Sequence, residues 1–252
     1  MNSQRKSLLG VPVDLWHREE FIANIEASIH SHAPRTIFAV NPEKIVLSRK
    51  DQDLSLALKQ ADFLIPDGIG VIIGLKLIYG KTLARAIRIA GVELMTSLLD
   101  FANRMKKKIF IFGGSPEVNE RVARIISHQY PDLVLSGHRH GYMAEYLDEA
   151  LVQEINSLCV DILFVGLGSP KQEKWIQKYR NKLKAKICMG VGGSFDVLVG
   201  KISRAPKWMQ KAGLEWLYRL FREPGRIRRQ LALPQFAWAL IKERMAKKHL
   251  QV

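Results

Sequence analysis

A single carboxylate, Asp67, stands in the segment "ADFLIPDGIGVIIG" (61–74), between Pro66 and Gly68 and with apolar residues on both sides. Pro-Asp-Gly is favourable turn chemistry wherever it occurs, and local chemistry alone favours that simple explanation. A partly desolvated carboxylate at the end of a strand can also act as a general base toward a hydroxyl group. The position of Asp67 directly after an apolar run keeps this second interpretation open.

Similar polar motifs follow four other apolar runs. Glycine lets the backbone approach a ligand closely, and the N-terminus of a following helix offers free N–H groups to phosphate. Each motif alone is weak, but together they favour a ligand that carries phosphate or a nucleotide. Asn41 could orient a sugar or phosphate, or it could cap a helix, with equal weight. The motifs are "VNPEK" (40–44), "GGSPE" (113–117), "GLGSPKQE" (166–173) and "GVGGSFD" (190–196).

The apolar runs before these motifs predict a parallel β-sheet. Most are continuous runs without alternation, as in strands buried on both faces, and helical patterns separate them. This order predicts an α/β fold with a Rossmann-like parallel sheet, in which ligands bind beyond the carboxyl ends of the strands. Strands are predicted at 36–41, 62–66, 108–113, 133–137, 161–168 and 186–192. Helices are predicted near 42–60, 91–106, 116–129, 143–157 and 170–183.

The strand pattern stops near Gly200, and the rest of the chain is basic and helical. Residues 200–252 hold 13 of the 39 Lys+Arg but only 3 of the 24 Asp+Glu, which is two thirds of the net charge of +15. This asymmetry indicates an anionic partner: nucleic acid, phosphate groups or an acidic membrane surface. We predict a catalytic domain at 1–199 and a basic helical C-terminal appendage at 200–252.

A helical wheel of the appendage separates charged from apolar residues. An ordinary core-facing helix gives the same pattern and has equal weight, although the cations, the tryptophans and the later "RIRR" (226–229) favour a membrane interface. The charged arc holds Lys207, Lys211, Glu215, Arg219 and Arg222, and the apolar arc holds Met209, Trp216, Leu217, Leu220 and Phe221.

Several other kinds of site are not indicated. The sequence has no G-x-G-x-x-G after the first strand, no P-loop, no nucleophile elbow and no apolar run near the ~20 residues of a spanning helix. "DQD" (51–53) lies in a helical pattern, and "HRH" (138–140) has no Cys or carboxylate at ligand spacing, so neither predicts a metal site. Cys159 and Cys188 are predicted to be buried thiols of a cytoplasmic protein without a signal peptide.

From about Gly10 to Lys242 the chain resembles the WecG/TagA/CpsF family of bacterial glycosyltransferases. The motifs occur in the family's order, and their combination is highly specific. They are most similar to the branch that makes the wall-teichoic-acid linkage unit. The resemblance is carried by "AVNPEKIVLSRKD" (39–51), "ADFLIPDGIGV" (61–71), "RIAGVEL" (88–94), "GLGSPKQEKWI" (166–176) and "GVGGSFDVLVGKISRAPKWMQKAGLEWLYRLFREPGR" (190–226).

The resemblance implies an inverting enzyme that transfers N-acetylmannosamine from UDP-N-acetylmannosamine to N-acetylglucosamine on undecaprenyl diphosphate. The product would enter teichoic acid or an exopolysaccharide. Another UDP-sugar, such as the uronic acid of UDP-N-acetylmannosamine or UDP-glucose, stays open as the donor. The resemblance also implies no cofactor, no metal ion and no nucleic-acid partner. The protein would be cytoplasmic and peripheral on the inner face of the plasma membrane, with the anionic membrane surface as a partner.

Roles for individual residues also follow from the resemblance. Asp67 would deprotonate the acceptor hydroxyl, Tyr142 would stack on uracil, and Asp196 would hydrogen-bond the nucleoside. The implied substrate-binding residues are Asn41, Arg88, Gly113, Gly114, Tyr142, Gly168, Gln172 and Asp196. The arginines expected to close over the pocket and stabilise the diphosphate are Arg219, Arg226 and Arg229.

Two positions depart from the family's usual pattern. Ala39 stands where the family often has Thr, which puts one hydroxyl contact to substrate in doubt. Glu93 stands where Asp is common, which moves the charge outward by a methylene. Two other classes of function compete with the transferase: a nucleic-acid-binding module, which the basic tail allows, and a Rossmann oxidoreductase, which the missing glycine fingerprint disfavours.

Overall fold

The computed structural model describes residues 4–29, 34–83, 88–203, 205–211, 214–222 and 231–249. A two-stranded antiparallel hairpin precedes a six-stranded parallel sheet with the strand order β4-β3-β8-β7-β5-β6. The hairpin comprises β1 (Gln4–Leu8) and β2 (Val11–Leu15). The sheet comprises β3 (Arg35–Val40), β4 (Phe63–Pro66), β5 (Lys108–Gly113), β6 (Val134–Arg139), β7 (Ile162–Gly166) and β8 (Ile187–Gly190).

Helices cover both faces of the sheet. One face carries α1, α5, α6 and α9, and the other carries α2, α3, α4, α7, α8, α12 and the hairpin. The helices are α1 (Arg18–Ser28), α2 (Pro42–Ser48), α3 (Gln52–Gln60), α4 (Ile69–Tyr79), α5 (Gly91–Arg104), α6 (Pro116–Gln129), α7 (Asp148–Ser157), α8 (Lys171–Tyr179), α9 (Ser194–Leu198), α10 (Lys207–Lys211), α11 (Glu215–Arg222) and α12 (Ala232–His249).

The strands read as continuous apolar runs because both of their faces are buried. Along β7, Ile162 and Phe164 point into one hydrophobic cluster, and Leu163 and Val165 point into the other. Alternate residues of a strand point to opposite faces, so two covered faces leave no position for a polar side chain. The predicted α/β, Rossmann-like class is confirmed, and the six strands overlap the six predicted runs.

Some predicted helices differ from the observed ones. The segment 42–60 is two helices, because the Asp51 carboxylate accepts from Leu54 N at 3.0 Å and caps α3 there. The hairpin was not predicted. Neither was α4, whose sequence is apolar except for Lys76 and has no polar period: it buries Val71 and Leu75 and also packs against α12.

The C-terminal segment is three helices in the described residues. The wheel treated 207–222 as one helix, which was wrong, since α10 and α11 are separate elements. The longest helix, α12, packs against α2 and α4. Its Phe236 and Leu240 contact α4 at Gly74, where an added Cβ would lie 3.2 Å from both side chains. Within the described ranges, no helix combines the length and the apolar character needed to span a bilayer.

The two cysteines have different environments. Cys188 is buried in β8, and that burial raises the pKa of its thiol to about 12. Cys159 is exposed, so the prediction of two buried thiols was wrong for this residue. It follows α7 with φ +53°, in the left-handed conformation of a chain reversal, and such reversals lie at the surface.

Candidate active site

The motifs that follow the strands meet at one edge of the sheet, as the strand pattern predicts. In spatial order the edge carries the ends of β4, β3, β8, β7 and β5, followed by that of β6. Neighbouring strands lie about 4.8 Å apart, so the distance from the end of β4 to the end of β5 is about 19 Å. The corresponding residues are Asp67, Asn41, Gly190, Gly166, Gly113 and Arg139.

Asp67 follows β4 at one end of this edge. Its N–H donates to Val40 O at 2.8 Å, which fixes it beside the end of β3. The next residue, Gly68, has φ +106°, and α4 begins directly after it. The Pro-Asp-Gly turn is therefore present, and it leaves the Asp67 side chain about one third exposed, at 32%. Gly91 leaves room beside it, since an added Cβ there would lie 3.8 Å from Asp67 Oδ2.

Arg88 lies next to Asp67. Its Nε faces Asp67 Oδ1 at 3.7 Å, and its Nη2 donates to the carboxylate of Glu215 at the start of α11. The neighbouring Ile89 donates its N–H to Pro66 O at 3.0 Å, which holds this segment against the end of β4. The site therefore contains a cation between two carboxylates, one of which comes from the C-terminal helices.

Asn41 ends β3 and caps α2. Its side-chain oxygen accepts from Lys44 N at 2.8 Å, so the capping interpretation is confirmed. The cap uses only the oxygen of the amide, and the NH₂ group keeps its capacity to donate to a ligand. Asn41 also lies close to the Asp67 turn, because a Cβ added at Gly68 would meet Asn41 Cβ at 3.9 Å.

A buried polar network lies behind Asn41. Lys44 Nζ donates to Ala39 O at 2.5 Å and to Glu173 Oε1 at 2.6 Å, and it thereby joins α2 to α8. Gln172 Nε2 also donates to Glu173 Oε1, at 2.8 Å, and Gln172 Oε1 accepts from Gly192 N at 2.8 Å. The network therefore connects the loops that follow β3, β7 and β8.

Gln172 belongs to this network more than to the surface of the site. It is only 3% exposed, and both of its polar side-chain atoms bond within the protein. Gly190 allows it to lie there, because an added Cβ would be 2.8 Å from Gln172 Nε2. The described contacts give Gln172 a positioning role, while its predicted contact with substrate stays a prediction.

Glycines bring the ends of β5 and β7 into close contact. Gly113 has φ +124°, and a Cβ added there would lie 2.4 Å from the carbonyl carbon of Gly166. Gly166 is in turn covered by Phe195 of α9, 2.5 Å from where its own Cβ would be. Gly114 and Gly168, at φ +73° and +75°, continue these turns. The result is exposed backbone without side chains in the middle of the edge, as close ligand approach requires.

Tyr142 lies beyond β6 at the far end of the edge and is 77% exposed. The preceding Gly141 donates its N–H to Gly114 O at 2.8 Å, so the loop carrying Tyr142 lies against the Gly113–Gly114 turn. Asn119 of α6 fixes the same region, since its amide donates to Gly113 O and to Arg139 O, each at 2.9 Å. A rigid backbone therefore presents an exposed aromatic ring.

The remaining predicted residues belong to α9 and to the C-terminal segment of the chain. Asp196, in α9, faces Lys201 Nζ at 3.9 Å and is about one third exposed. Arg219 lies in α11, but its side chain is outside the described residues, as are Arg226 and Arg229 altogether.

The described residues contain no group of three His, Cys, Asp or Glu side chains placed to hold a metal ion. In the "HRH" segment, His138 Nδ1 lies 2.8 Å from Asn119 Oδ1. Since both amide hydrogens of Asn119 bond to carbonyls, its oxygen must accept, so Nδ1 carries the proton. His138 is therefore part of the bonding that fixes the end of β6.

The sequence did not predict the residues that hold other side chains of the site in place. Lys44 and Glu173 stand inside quoted motifs, and a signal was available, because the helical period places both among buried residues such as Ile45 and Ile176. A charge at such a position predicts a buried ion pair. Glu215 gave no comparable signal, because its partner, Arg88, lies 127 residues away in the chain.

The fold and this edge define a Rossmann-like α/β protein with a carboxylate at one end of a glycine-rich strand-end site. The sequence profile described as "Glycosyl transferase WecG/TagA/CpsF family" matches residues 6–250. The chain therefore belongs to the WecG/TagA/CpsF family and is a glycosyltransferase.

Curated relatives are similar to this sequence over most of its length. The chain is 39% identical over 213 residues to the N-acetylglucosaminyldiphosphoundecaprenol N-acetyl-beta-D-mannosaminyltransferase of Bacillus subtilis (strain 168), covering 84% of this chain and 81% of that one. It is 36% identical to the protein of the same name from Bacillus spizizenii, covering 90% and 86%. It is 33% identical to that of Staphylococcus aureus (strain MRSA252), covering 96% and 94%.

Proposed function

We propose that this enzyme transfers N-acetylmannosamine from UDP-N-acetylmannosamine to undecaprenyl-diphosphate-linked N-acetylglucosamine. The relatives are named for this reaction, and they are similar to this sequence over nearly the whole chain. The observation that carries the proposal is the placement of Asp67 on the same edge as the glycine turns after β5 and β7. A base and a surface for a nucleotide-sugar are the two things that a single displacement needs.

Asp67 is the proposed base. Its carboxylate takes the proton of the acceptor hydroxyl, and the hydroxyl oxygen attacks the anomeric carbon of the donor sugar. The bond from that carbon to the UDP oxygen breaks, and its electron pair leaves with UDP. Because one displacement occurs, the configuration inverts, and one base is sufficient.

The departing diphosphate needs positive charge. We propose that N–H groups at the start of α6 and α8 and the arginines Arg219, Arg226 and Arg229 supply it, since helix N-termini and bidentate arginines both bind phosphate oxygens. No cofactor or metal ion has a part in this proposal. Full turnover in the presence of a chelator would support it, and restoration of lost turnover by Mg²⁺ or Mn²⁺ would contradict it.

We propose that the nucleoside of the donor binds at the β5–β6 end of the edge. Tyr142 is the proposed stacking partner of uracil, and its exposed ring on a braced loop supports that role. Asp196, and the backbone of Gly113, Gly114 and Gly168, are proposed to contact the rest of the nucleotide. The sugar then lies toward Asn41, Arg88 and Asp67, with the distance of about 19 Å between β4 and β5 available for an extended donor.

The second proposed partner is an anionic membrane surface, reached by α12. This helix has two apolar faces: Phe236, Ala239 and Leu240 are buried against the body, whereas other apolar residues are exposed. The exposed stripe is Trp238, Ile241 and Met245 of α12, and Leu231 directly before the helix is exposed as well. The spacing of the three helical residues puts them on one side of the helix. An exposed apolar stripe with tryptophan is typical of helices that lie in a membrane interface.

Cations border this stripe. Lys242 Nζ lies 5.4 Å from the centre of the Trp238 ring. Arg49, at the end of α2, lines a groove of about 560 Å³ together with Trp238 and Lys242. Basic residues at an interface attract anionic lipid headgroups. We propose that the enzyme binds peripherally to the inner face of the plasma membrane, where the lipid-linked acceptor would be met.

A donor screen tests the proposed reaction. The full chain is incubated with a short-chain lipid-diphosphate-linked N-acetylglucosamine and, in separate reactions, UDP-N-acetylmannosamine, its uronic acid, UDP-glucose or UDP-N-acetylglucosamine. Product masses are then recorded. We expect one N-acetylhexosamine to be added with UDP-N-acetylmannosamine as the preferred donor. Preference for the uronic acid or for UDP-glucose would contradict the donor assignment, and no product with any donor would contradict the acceptor.

A further inference from the structure

Arg88 stands between two carboxylates from distant parts of the chain. Its Nη2 donates to Glu215 Oε2, whereas its Nε faces Asp67 Oδ1 at 3.7 Å, beyond hydrogen-bond distance. This Nε is buried, and it has no hydrogen-bond partner among the described residues. The guanidinium is thus oriented by the C-terminal helix α11 and only approaches Asp67.

Burial makes this pairing strong. Glu215 is 8% exposed, and a buried carboxylate needs a cation and hydrogen bonds to replace water. Hydrogen bonds join described residues in and beside α10 and α11: Leu214 N donates to Met209 O at 2.8 Å, and Gln210 Nε2 donates to Ala205 O at 2.6 Å. Glu215 therefore holds Arg88 from a fixed position.

The distance between Arg88 and Asp67 affects the strength of a base. A close, bidentate arginine pair stabilises the charged form of a carboxylate strongly, and a carboxylate so stabilised accepts a proton less readily. A guanidinium held slightly farther away still favours the ionised carboxylate, but it lowers the basicity of that carboxylate less. The second carboxylate, Glu215, competes with Asp67 for the same cation.

We propose that Glu215 is a positioning residue that keeps Arg88 out of a close ion pair with Asp67. The strength of the base then depends on α11 being docked on the catalytic body. The proposal rests on the role of Asp67 as base. A purely anchoring role for Glu215 is the alternative, in which it would hold α11 in place without affecting proton transfer.

Other charged residues lie on the described elements that meet at this edge, and they remain when Glu215 is changed. They are Glu43 and Lys44 of α2, Glu93 of α5, Glu173 of α8 and Arg88 itself, which faces Asp67. Glu215→Gln keeps the shape and a hydrogen-bond acceptor at this position and removes one negative charge. Its effect on the pH profile therefore reports on the competition for Arg88.

The test is the pH dependence of kcat for the full chain, Glu215→Gln, Arg88→Ala and the double variant, with the lipid-diphosphate acceptor. In Glu215→Gln we expect kcat to fall about 3- to 30-fold and the acid limb to move about one pH unit or more lower, because Arg88 closes on Asp67. The KM for the donor should change much less than kcat in this variant. The double variant brings the acid limb back up, since the cation is gone. Glu149→Gln, also in the first turn of a helix, is the control and keeps the wild-type profile.

An acid limb that is unmoved or moves to higher pH in Glu215→Gln would overturn the proposal and leave Glu215 as an anchor. Should that variant not fold, as judged by thermal unfolding, Glu215→Asp is measured instead; its shorter side chain holds Arg88 less well and moves the limb in the same direction. Full activity of Asp67→Asn would overturn the base itself. The two failures are therefore distinguishable.

Discussion

Asp67 shows that a turn residue can also be the residue that we propose as the catalytic base. Pro66 ends β4 and Gly68 supplies the positive φ, and this bend holds the Asp67 side chain at the strand-end edge. Asn41 combines two roles in the same way, because its oxygen caps α2 and its amide group is left to donate. At both positions the local function fixes the side chain that we propose to meet the substrate.

Gly113 is the residue at which a side chain is least tolerable. In Gly113→Ala the new Cβ would lie 2.4 Å from the Gly166 carbonyl carbon, at a φ of +124°. We expect the free energy of unfolding in urea to fall by about 2–4 kcal/mol, from backbone strain and overpacking together. Donor affinity should fall as well, since the turn would shift.

Gly193→Ala is the matched control for this substitution. A Cβ at Gly193 meets no atom within 4 Å, and its φ of −77° suits alanine. Its stability should equal that of the wild type within about 0.5 kcal/mol. An equally small effect of Gly113→Ala would contradict the close contact between the ends of β5 and β7.

Residue type and spacing revealed most of the edge but not the direction of its side chains. Asp67, which the strand-end pattern singled out, is about one third exposed, and Tyr142, which only the family resemblance implied, is largely exposed. The resemblance also implied that Gln172 binds substrate, yet its bonds to Glu173 and Gly192 turn its side chain into the buried network. The direction of such a side chain depends on contacts with distant elements, which a single sequence does not state.

At the scale of the elements, one buried ion pair joins α2 to α8. The Lys44–Glu173 ion pair between them is almost completely buried, at 6% and 0% side-chain exposure. Breaking a buried pair leaves an uncompensated charge, whereas replacing both partners with apolar residues is often neutral. The pair thus sets the spacing of the loops after β3 and β7.

Substitutions at this pair should reveal both roles. Lys44→Met alone should lower the free energy of unfolding by about 3–5 kcal/mol, because Glu173 is left buried without its cation. In Lys44→Met/Glu173→Leu most of the lost stability should be recovered. The KM for the donor should nevertheless be higher than in the wild type, because Gln172 has lost its partner Glu173. Urea unfolding and steady-state kinetics measure the two effects.

Lys182→Met is the control for the buried pair. Lys182 and Glu149 form an exposed pair at 2.7 Å, and an exposed pair contributes about 0–1 kcal/mol. If Lys44→Met cost no more than Lys182→Met, the pair would not be the buried junction described above.

Elements with a clear pattern were predictable, and those defined by packing were not. The six strands follow from continuous apolar runs, and α6 from its Ser115 cap and Pro116. The helix α4 has no polar period, because it buries Val71 and Leu75 while Ile69 and Ile73 on its other side are apolar but exposed, so its sequence resembles a strand. The break between α2 and α3 depends on one cap, Asp51, inside an otherwise helical pattern.

At the scale of the whole molecule, the basic C-terminal segment is joined to the catalytic body at several points. Phe236 and Leu240 of α12 belong to the main hydrophobic core, and Leu9 N donates to Glu243 of the same helix at 3.1 Å. Glu215 contributes the pair with Arg88. The charge asymmetry of the sequence predicted an anionic partner for 200–252, but it gave no sign that α12 would also cover the core.

Substitution of the exposed stripe is therefore a cleaner test of membrane binding than truncation, which would also uncover the core. We expect Trp238→Ser/Ile241→Ser to weaken binding to vesicles of phosphatidylglycerol and phosphatidylethanolamine by about tenfold or more, because apolar area is lost. Thermal unfolding should barely change. Vesicle flotation measures the binding, and a single-stranded oligonucleotide is tested in parallel.

The control for the stripe is Leu56→Ser, which removes an exposed leucine on α3 and should leave vesicle binding unchanged. Equal effects of both changes would contradict a specific membrane face. Tighter binding to the oligonucleotide than to vesicles at physiological salt would favour the nucleic-acid alternative.

The central claim, that Asp67 is the base of the transfer, is tested most directly by the turnover of Asp67→Asn with UDP-N-acetylmannosamine and the lipid-diphosphate acceptor. Asparagine suits the same turn, so circular dichroism and thermal unfolding should match the wild type. Loss of the base should reduce kcat by about 10²–10⁴-fold. A folded Asp67→Asn enzyme that turns over at the wild-type rate would contradict the claim.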